Sequence, residues 1–408
     1  MMNVQPIENI LLQGTSFCNI KCSYCYLEEG EKEKNQSFSL ENIEIVFKKI
    51  FSSPFAGPEI QIAWHAGEPL AMPINYYRQA FYIIDQLKET YKFSTHITHT
   101  ITTNGTLINQ EWCDFFKEQQ KHLIVNISCD GPDFIHDKQR LDKSGNKTHA
   151  KVVEGMELLR KNKVRFQIFA TITPHTLDYP NEFFDFFYQY RHIISNHIQL
   201  NPTYYLTEHN KNAFSLGFQE EKRFQLFLKT ILELSKTSEE PLVFKNFHRM
   251  LSLIHHLPQT MDEVKNIVPR APIQILNIDS KGNISSFLPL LGMRQAEPTN
   301  IYGDQNGFIL GNIFYEELQD IIQSPKFLKM CEDFSSSEQA CQDNCHYFPV
   351  CGGGDAVLKL MQNGTFNSTE TPECRIAVQS FVDVLVEDIL NSENTQGRSK
   401  VTVKCLTA

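Results

Sequence analysis

The sequence predicts an α/β fold, a partial (β/α)6 barrel followed by a smaller second domain. The prediction rests on three features: strict alternation of short apolar runs with helical patterns up to residue 236, polar motifs directly after those runs, and a change of pattern from residue 237. Alternation of this kind implies parallel strands joined by right-handed crossovers. Six units are too few for an eight-fold barrel.

The first run, Ile10–Thr15, ends in a cysteine loop and reads as a strand feeding that loop. Further strands are expected near Ile60–Trp64, Ile97–Thr102, Leu123–Ser128, Phe166–Ile172 and Ile198–Leu200. Between and after them, 3.6-residue periodicity predicts helices near Leu40–Phe51, Tyr76–Thr90, Gln110–Gln119, Lys151–Lys161, Pro180–Tyr190 and Gln219–Leu234. Loops leaving the carboxyl ends of such strands are expected to build the site.

The second domain is expected over 237–390. Ser280–Gly282 is a turn signal between two apolar runs and predicts a hairpin. Cys341–Asp355 shows no helical or strand period, Val378–Leu390 reads as a last helix, and 391–408 as a loose polar tail.

At 408 residues, 41% hydrophobic and 21% charged, the chain suits a soluble globular protein. The net charge of -10 and the scattering of its 38 Lys and Arg argue against nucleic acid as a partner. No apolar run is long enough to cross a bilayer, and Met1–Ile10 lacks the features of a signal peptide, so a cytoplasmic location without membrane attachment is expected. Fewer than ten residues precede the first strand, so no peptide-recognition domain is expected there. Eleven cysteines are too few for a disulfide scaffold; seven of them fall into two tight groups, which reads as metal ligation.

Cys18, Cys22 and Cys25 form C-x3-C-x2-C after the first strand. Three thiolates can hold three irons of a cubane and leave the fourth open, whereas zinc usually takes four protein ligands. With Tyr26 following, this spacing resembles the signature of the radical S-adenosylmethionine (SAM) superfamily. The resemblance implies a radical SAM barrel whose 4Fe-4S cluster binds and cleaves SAM, with Tyr26 beside the adenine. Ala66–Pro69 (AGEP) then resembles the family's GGEP motif, where Gly67 and Glu68 would meet the SAM ammonium, with Ala66 replacing the first glycine. By the same resemblance Asn104, Ser128 and Asp130 would contact SAM, and Arg140 would pair with its carboxylate. Read alone, Asn104–Gly105 and Asp130–Pro132 are ordinary turn sequences, and Glu68 an ordinary loop carboxylate.

Cys341, Cys345, Cys351 and Cys374, with Gly352–Gly354 between them, supply four thiolates, enough for a fully ligated cluster or a structural zinc site. The region resembles the SPASM auxiliary-cluster domain of peptide maturases. A full SPASM domain has further ligands, which fall here at Phe287 and Asp355, so one auxiliary cluster is expected, making two 4Fe-4S clusters with SAM. Cys113, Cys129, Cys331 and Cys405 are expected to be packing or incidental thiols.

Trp64–Leu70, Thr148–Ala150 and Cys345–Gly354 resemble cyclophane-forming radical SAM/SPASM maturases of the GrrM/OscB type. That resemblance implies an oxidoreductase joining an aromatic ring to a nearby β-carbon in a ribosomally made precursor peptide, reduced by a flavodoxin or ferredoxin. Asp355 would be the base that takes the arene proton, or else a helix N-cap. Thioether formation and sulfatase-type oxidation are alternatives; the base expected for the latter falls at Leu288. A non-enzymatic iron-sulfur or zinc protein explains the cysteines but not the motifs at successive strand ends.

Overall fold

The computed structural model describes residues 6–27, 36–93, 96–205, 215–257, 272–286, 300–304 and 306–396. The first half runs β1 (Ile7–Leu12), β2 (Ile20–Cys22), α1 (Leu40–Phe51), β3 (Ala56–Trp64), α2 (Ile74–Thr90), β4 (His96–Thr103), α3 (Gln110–Glu118), β5 (Leu123–Ser128), β6 (Arg140–Asp142) and α4 (His149–Lys161). The second half runs β7 (Phe166–Ile172), α5 (Pro180–Tyr188), β8 (Ile194–Pro202), α6 (Glu221–Thr237), α7 (Lys245–His255), β9 (Ile275–Ile278), β10 (Asn283–Ser286), β11 (Gly311–Asn312), α8 (Pro325–Asn344), α9 (Ala356–Asn363) and α10 (Ser380–Gln396). The fold is mixed α/β with a parallel-sheet core and a helical C-terminal part.

Helix boundaries follow local chemistry. Ser39 caps α1 by accepting from Asn42 N at 3.2 Å, and Ile43, Val46, Phe47, Ile50 and Phe51 form its buried stripe. Asn109 caps α3 in the same way, accepting from Trp112 N at 3.0 Å. Strand β7 alternates buried and half-buried residues along its length.

The chain divides into two compact units. The first is Met1–Cys129, His136–Gln167 and Arg270–Cys331; the second is Asp130–Ile135, Ile168–Pro269 and Glu332–Ala408. This division cuts across the expected boundary at residue 236, for a reason visible in the sheet. In the first unit β1, β3, β4 and β5 pair in parallel, and β9 pairs in parallel with the other side of β1, Ile10 facing Leu276. The expected hairpin therefore exists, β10 running antiparallel to β9, but it belongs to the sheet that carries the cysteine loop. A short pair, β2 with β6, sits apart from that sheet.

In the second unit an aromatic core joins four helices. Phe183 meets Phe227, Phe224 meets Phe381 and Phe247 meets Phe381, with ring centroids 5.4–5.7 Å apart.

The first strand starts three residues earlier than expected, at Ile7, and ends at Leu12, because Gln13–Ser16 already belong to the loop. Cys341 lies near the end of a regular helix, α8, where the sequence shows no period. Asn391–Gln396 continue α10 rather than a loose tail. Phe287, Leu288 and Cys405 lie outside the described residues. Among the described residues no helix is long and apolar enough to cross a membrane.

Candidate active site

The first cysteine loop is tied down on three sides. Phe38 N donates to Gly14 O at 2.8 Å, Ser16 N to Gln36 O at 2.9 Å, and Glu68 N to Phe17 O at 2.7 Å. Farther along, β2 places Cys22 opposite Arg140 of β6, and Ser23 N donates to Gln139 O. Cys18, Cys22 and Cys25 are each half-buried on this loop.

Gly67 makes the closest approach. Its φ is +69°, and a Cβ there would lie 2.3 Å from Thr15 O and 2.8 Å from Phe17 O. Ala66, also left-handed at +71°, is buried against Leu27, with Leu11 and Cys25 beside it.

Glu68 is 1% exposed and is held by three donors. Leu70 N and Thr103 Oγ1 reach Oε1 at 2.8 and 2.7 Å, and Asn104 N reaches Oε2 at 2.8 Å. Burial still pushes its carboxyl above the usual range, against those donors and the Arg140 charge.

Asn104 is spent on the loop: Nδ2 donates to Asn19 Oδ1 at 2.8 Å and lies 3.9 Å from Cys18 Sγ, while Oδ1 accepts from Thr106. Arg140 Nη1 lies 3.7 Å from Cys22 Sγ, and its guanidinium sits over the Tyr24 ring at 5.4 Å. Asn19, Thr106 and Tyr24 carried no sequence signal, because their roles come from partners about 85–120 residues away. Tyr26 is 37% exposed with its ring 6.4 Å from His65. Ser128 ends β5 half-buried, and Asp130 is buried with Oδ1 accepting from Thr171 N at 2.9 Å.

These residues suit a bound iron-sulfur cluster. Burial pushes the Cys18 thiol up to about 12, with the Glu68 charge and the neighbouring thiols adding to it, so ligation would displace protons. Side-chain N–H groups already face two of the three sulfurs. Among the described residues no three ligands converge on a single metal ion. The ligands of a cubane bind separate irons and need not converge.

The second unit brings the other four cysteines together. Cys341, Cys351 and Cys374 are buried and Cys345 half-buried. The Cys345 thiol is raised first by its hydrogen bond with Cys341, and Cys374 by burial and then by Cys351. Gly352, Gly353 and Gly354 all have positive φ, a run that only glycine adopts freely, and it turns the chain sharply after Cys351. Asp355 then caps α9, its Oδ1 accepting from Leu358 N at 2.9 Å. Cys113 and Cys129 are packed in the core, and Cys331 is half-buried.

Residues 12–187 match the model of the radical SAM superfamily. The chain is 36% identical over 386 residues to an uncharacterized protein of Synechocystis sp. (strain ATCC 27184 / PCC 6803 / Kazusa), covering 94% of this chain and 92% of the relative. It is 34% identical over 201 residues to the serine-type anaerobic sulfatase-maturating enzyme of Bacteroides thetaiotaomicron, covering 48% of this chain and 46% of that enzyme. A solved structure described as native anSMEcpe with bound AdoMet and Cp18Cys peptide shares the fold, with a TM-score of 0.72 at 21% identity over 96% of this chain and 99% of the other.

Proposed function

The chain belongs to the radical SAM superfamily, and from that premise we propose that it crosslinks a ribosomally made peptide, joining an aromatic ring carbon to the β-carbon of a nearby residue. The observation that carries this reading is the gathering of Cys341, Cys345, Cys351 and Cys374 in one unit, while the other unit holds a complete C-x3-C-x2-C loop. One four-thiolate site without the further SPASM ligands fits the cyclophane-forming type.

Cys18, Cys22 and Cys25 would hold a 4Fe-4S cluster, and Cys341, Cys345, Cys351 and Cys374 a second one, with a flavodoxin or ferredoxin as reductant. When bound, the first cluster and SAM supply a radical able to take a hydrogen atom from a substrate carbon. Glu68, fixed by Leu70, Thr103 and Asn104, would accept from the SAM ammonium. Gly67 lets the loop pass close enough to leave room for it. Arg140 and Asn104 direct N–H groups at the Cys22 and Cys18 sulfurs, and Tyr26 and Ser128, on a loop and a strand end of the same unit, would contact SAM. Asp355 holds its helix by Oδ1 and is offered as the group that takes the arene proton.

Sulfatase-type side-chain oxidation is the second reading, favoured by the match to sulfatase-maturating enzymes. Against it, the expected acidic base falls on Leu288.

The test is anaerobically reconstituted enzyme with an aromatic-rich precursor peptide encoded beside its gene. A crosslink removes two hydrogens, adds no oxygen, suppresses fragmentation between the joined residues and leaves no aldehyde. A product that reacts with hydroxylamine would establish oxidation instead, and one blocked by replacing every precursor cysteine would establish a thioether.

A further inference from the structure

The helix that follows Cys374 departs from α geometry for one turn. Over Arg375–Gln379 it is a π-helix, with Ser380 N–H reaching back five residues to Arg375 O and Ser380 Oγ donating to the same carbonyl at 2.9 Å. Such turns give up regular packing and recur at functional sites. Their geometric effect is specific. On an α-helix two residues five apart lie about 140° from each other around the axis, whereas i to i+5 closure brings them onto one face.

Here those residues are Cys374 and Gln379. Gln379 is 3% exposed, and its Nε2 lies 3.4 Å from Cys374 Sγ. Its Oε1 has no hydrogen-bond partner among the described residues, so the sulfur is what the amide is aimed at. A ligating thiolate has no proton to give and can only accept, and the amide N–H is suited to it.

We infer that Gln379 is a positioning residue that sets the reduction potential of the second cluster by donating to Cys374 Sγ. The inference rests on the proposal that this group of cysteines holds a 4Fe-4S cluster. Hydrogen bonds to ligand sulfurs are among the levers that set such potentials, and by favouring the more negative, reduced state they raise them. The π-turn is then the backbone's means of delivering the donor.

The experiment uses full-length protein with Cys18, Cys22 and Cys25 changed to Ala, so that only the second site can hold iron. Gln379 is compared with Gln379→Met, which lacks the donor, and Gln379→Glu, which puts an acceptor in its place. Redox titration followed by electron paramagnetic resonance should show more negative midpoints with iron content retained. The expected shift is roughly three- to tenfold in the reduced fraction at fixed potential, or about 30–60 mV for a one-electron couple. An unmoved midpoint in whichever variant retains iron overturns the inference. Loss of iron from both variants overturns it too, by making Gln379 structural. Zinc, or no metal, in the parent protein would overturn the reading of the site itself.

Discussion

Replacing Gly67 with Ala should disrupt the first cysteine loop far more than its single methyl suggests. At φ +69° the backbone alone costs an L-residue about 1–2 kcal/mol. The added Cβ would sit 2.3 Å from Thr15 O, so the loop must retreat by about 1 Å to restore ordinary contact at 3.4 Å. That retreat pulls Phe17 O away from Glu68 N, a 2.7 Å bond whose loss costs roughly 1 kcal/mol. The total is about 2–3 kcal/mol, and the loop that moves carries Cys18. Ala66→Gly is the matched control. Relief of about 1–2 kcal/mol at φ +71° is offset by roughly 0.8 kcal/mol of lost methyl burial and 0.5–1 kcal/mol of glycine flexibility, so the change should be close to neutral. The assays are thermal unfolding of the metal-free protein and iron content after anaerobic reconstitution. Equal stability and equal iron in Gly67→Ala and Ala66→Gly would refute the reasoning.

Reconstituted protein should hold about eight irons per chain, and the Cys18, Cys22 and Cys25 to Ala variant about half of them with SAM cleavage abolished; stoichiometric zinc would contradict this. His99 is buried, accepts from Trp64 Nε1 at 3.3 Å and has its pKa depressed to about 3 by burial and then by His122. Its folded value lies below the unfolded 6.5, so it supports the fold above pH 6.5 and that support is lost as pH falls toward about 3. Unfolding of the metal-free protein should therefore take up about one more proton in that window than unfolding of His99→Leu, measured from the slope of stability against pH. Asp355→Ala should cost about 1 kcal/mol of capping, whereas Asp355→Asn keeps the cap. If Asp355 is also the base, Asp355→Asn slows crosslinking relative to 5'-deoxyadenosine formation; unchanged coupling leaves it a cap alone.

Much of the fold was legible because burial imposes a period. Ile43, Val46, Phe47 and Ile50 announce α1, and the short apolar runs announce β1, β3, β4, β5, β7 and β8. What was illegible is what depends on distant partners. Strands β2 and β6 are three residues each, too short for a period, and meet only because the chain returns after about 120 residues. Within α8 the run Ser335–Ser337 interrupts the apolar pattern, which hid the helix leading to Cys341. The two cysteine groups stand out by spacing alone. Asn19 and Thr106 meet the neighbours of Cys18 through tertiary contacts, and Gln379 meets Cys374 through a π-turn, neither of which a local motif encodes.

The parallel pairing of β9 with β1 has a consequence for the order of synthesis. Strand β1, which launches the first cysteine loop, receives one neighbour from β3 and the other from residues 275–278. Between the end of β5 and β9 the ribosome adds roughly 150 residues, which at typical elongation rates takes about 8–30 s. During that interval one edge of the loop-bearing strand stays unpaired on the nascent chain. The sheet beneath the first cluster site is thus completed late, and a chain cut at the apparent barrel boundary would leave the ribosome with that edge still open.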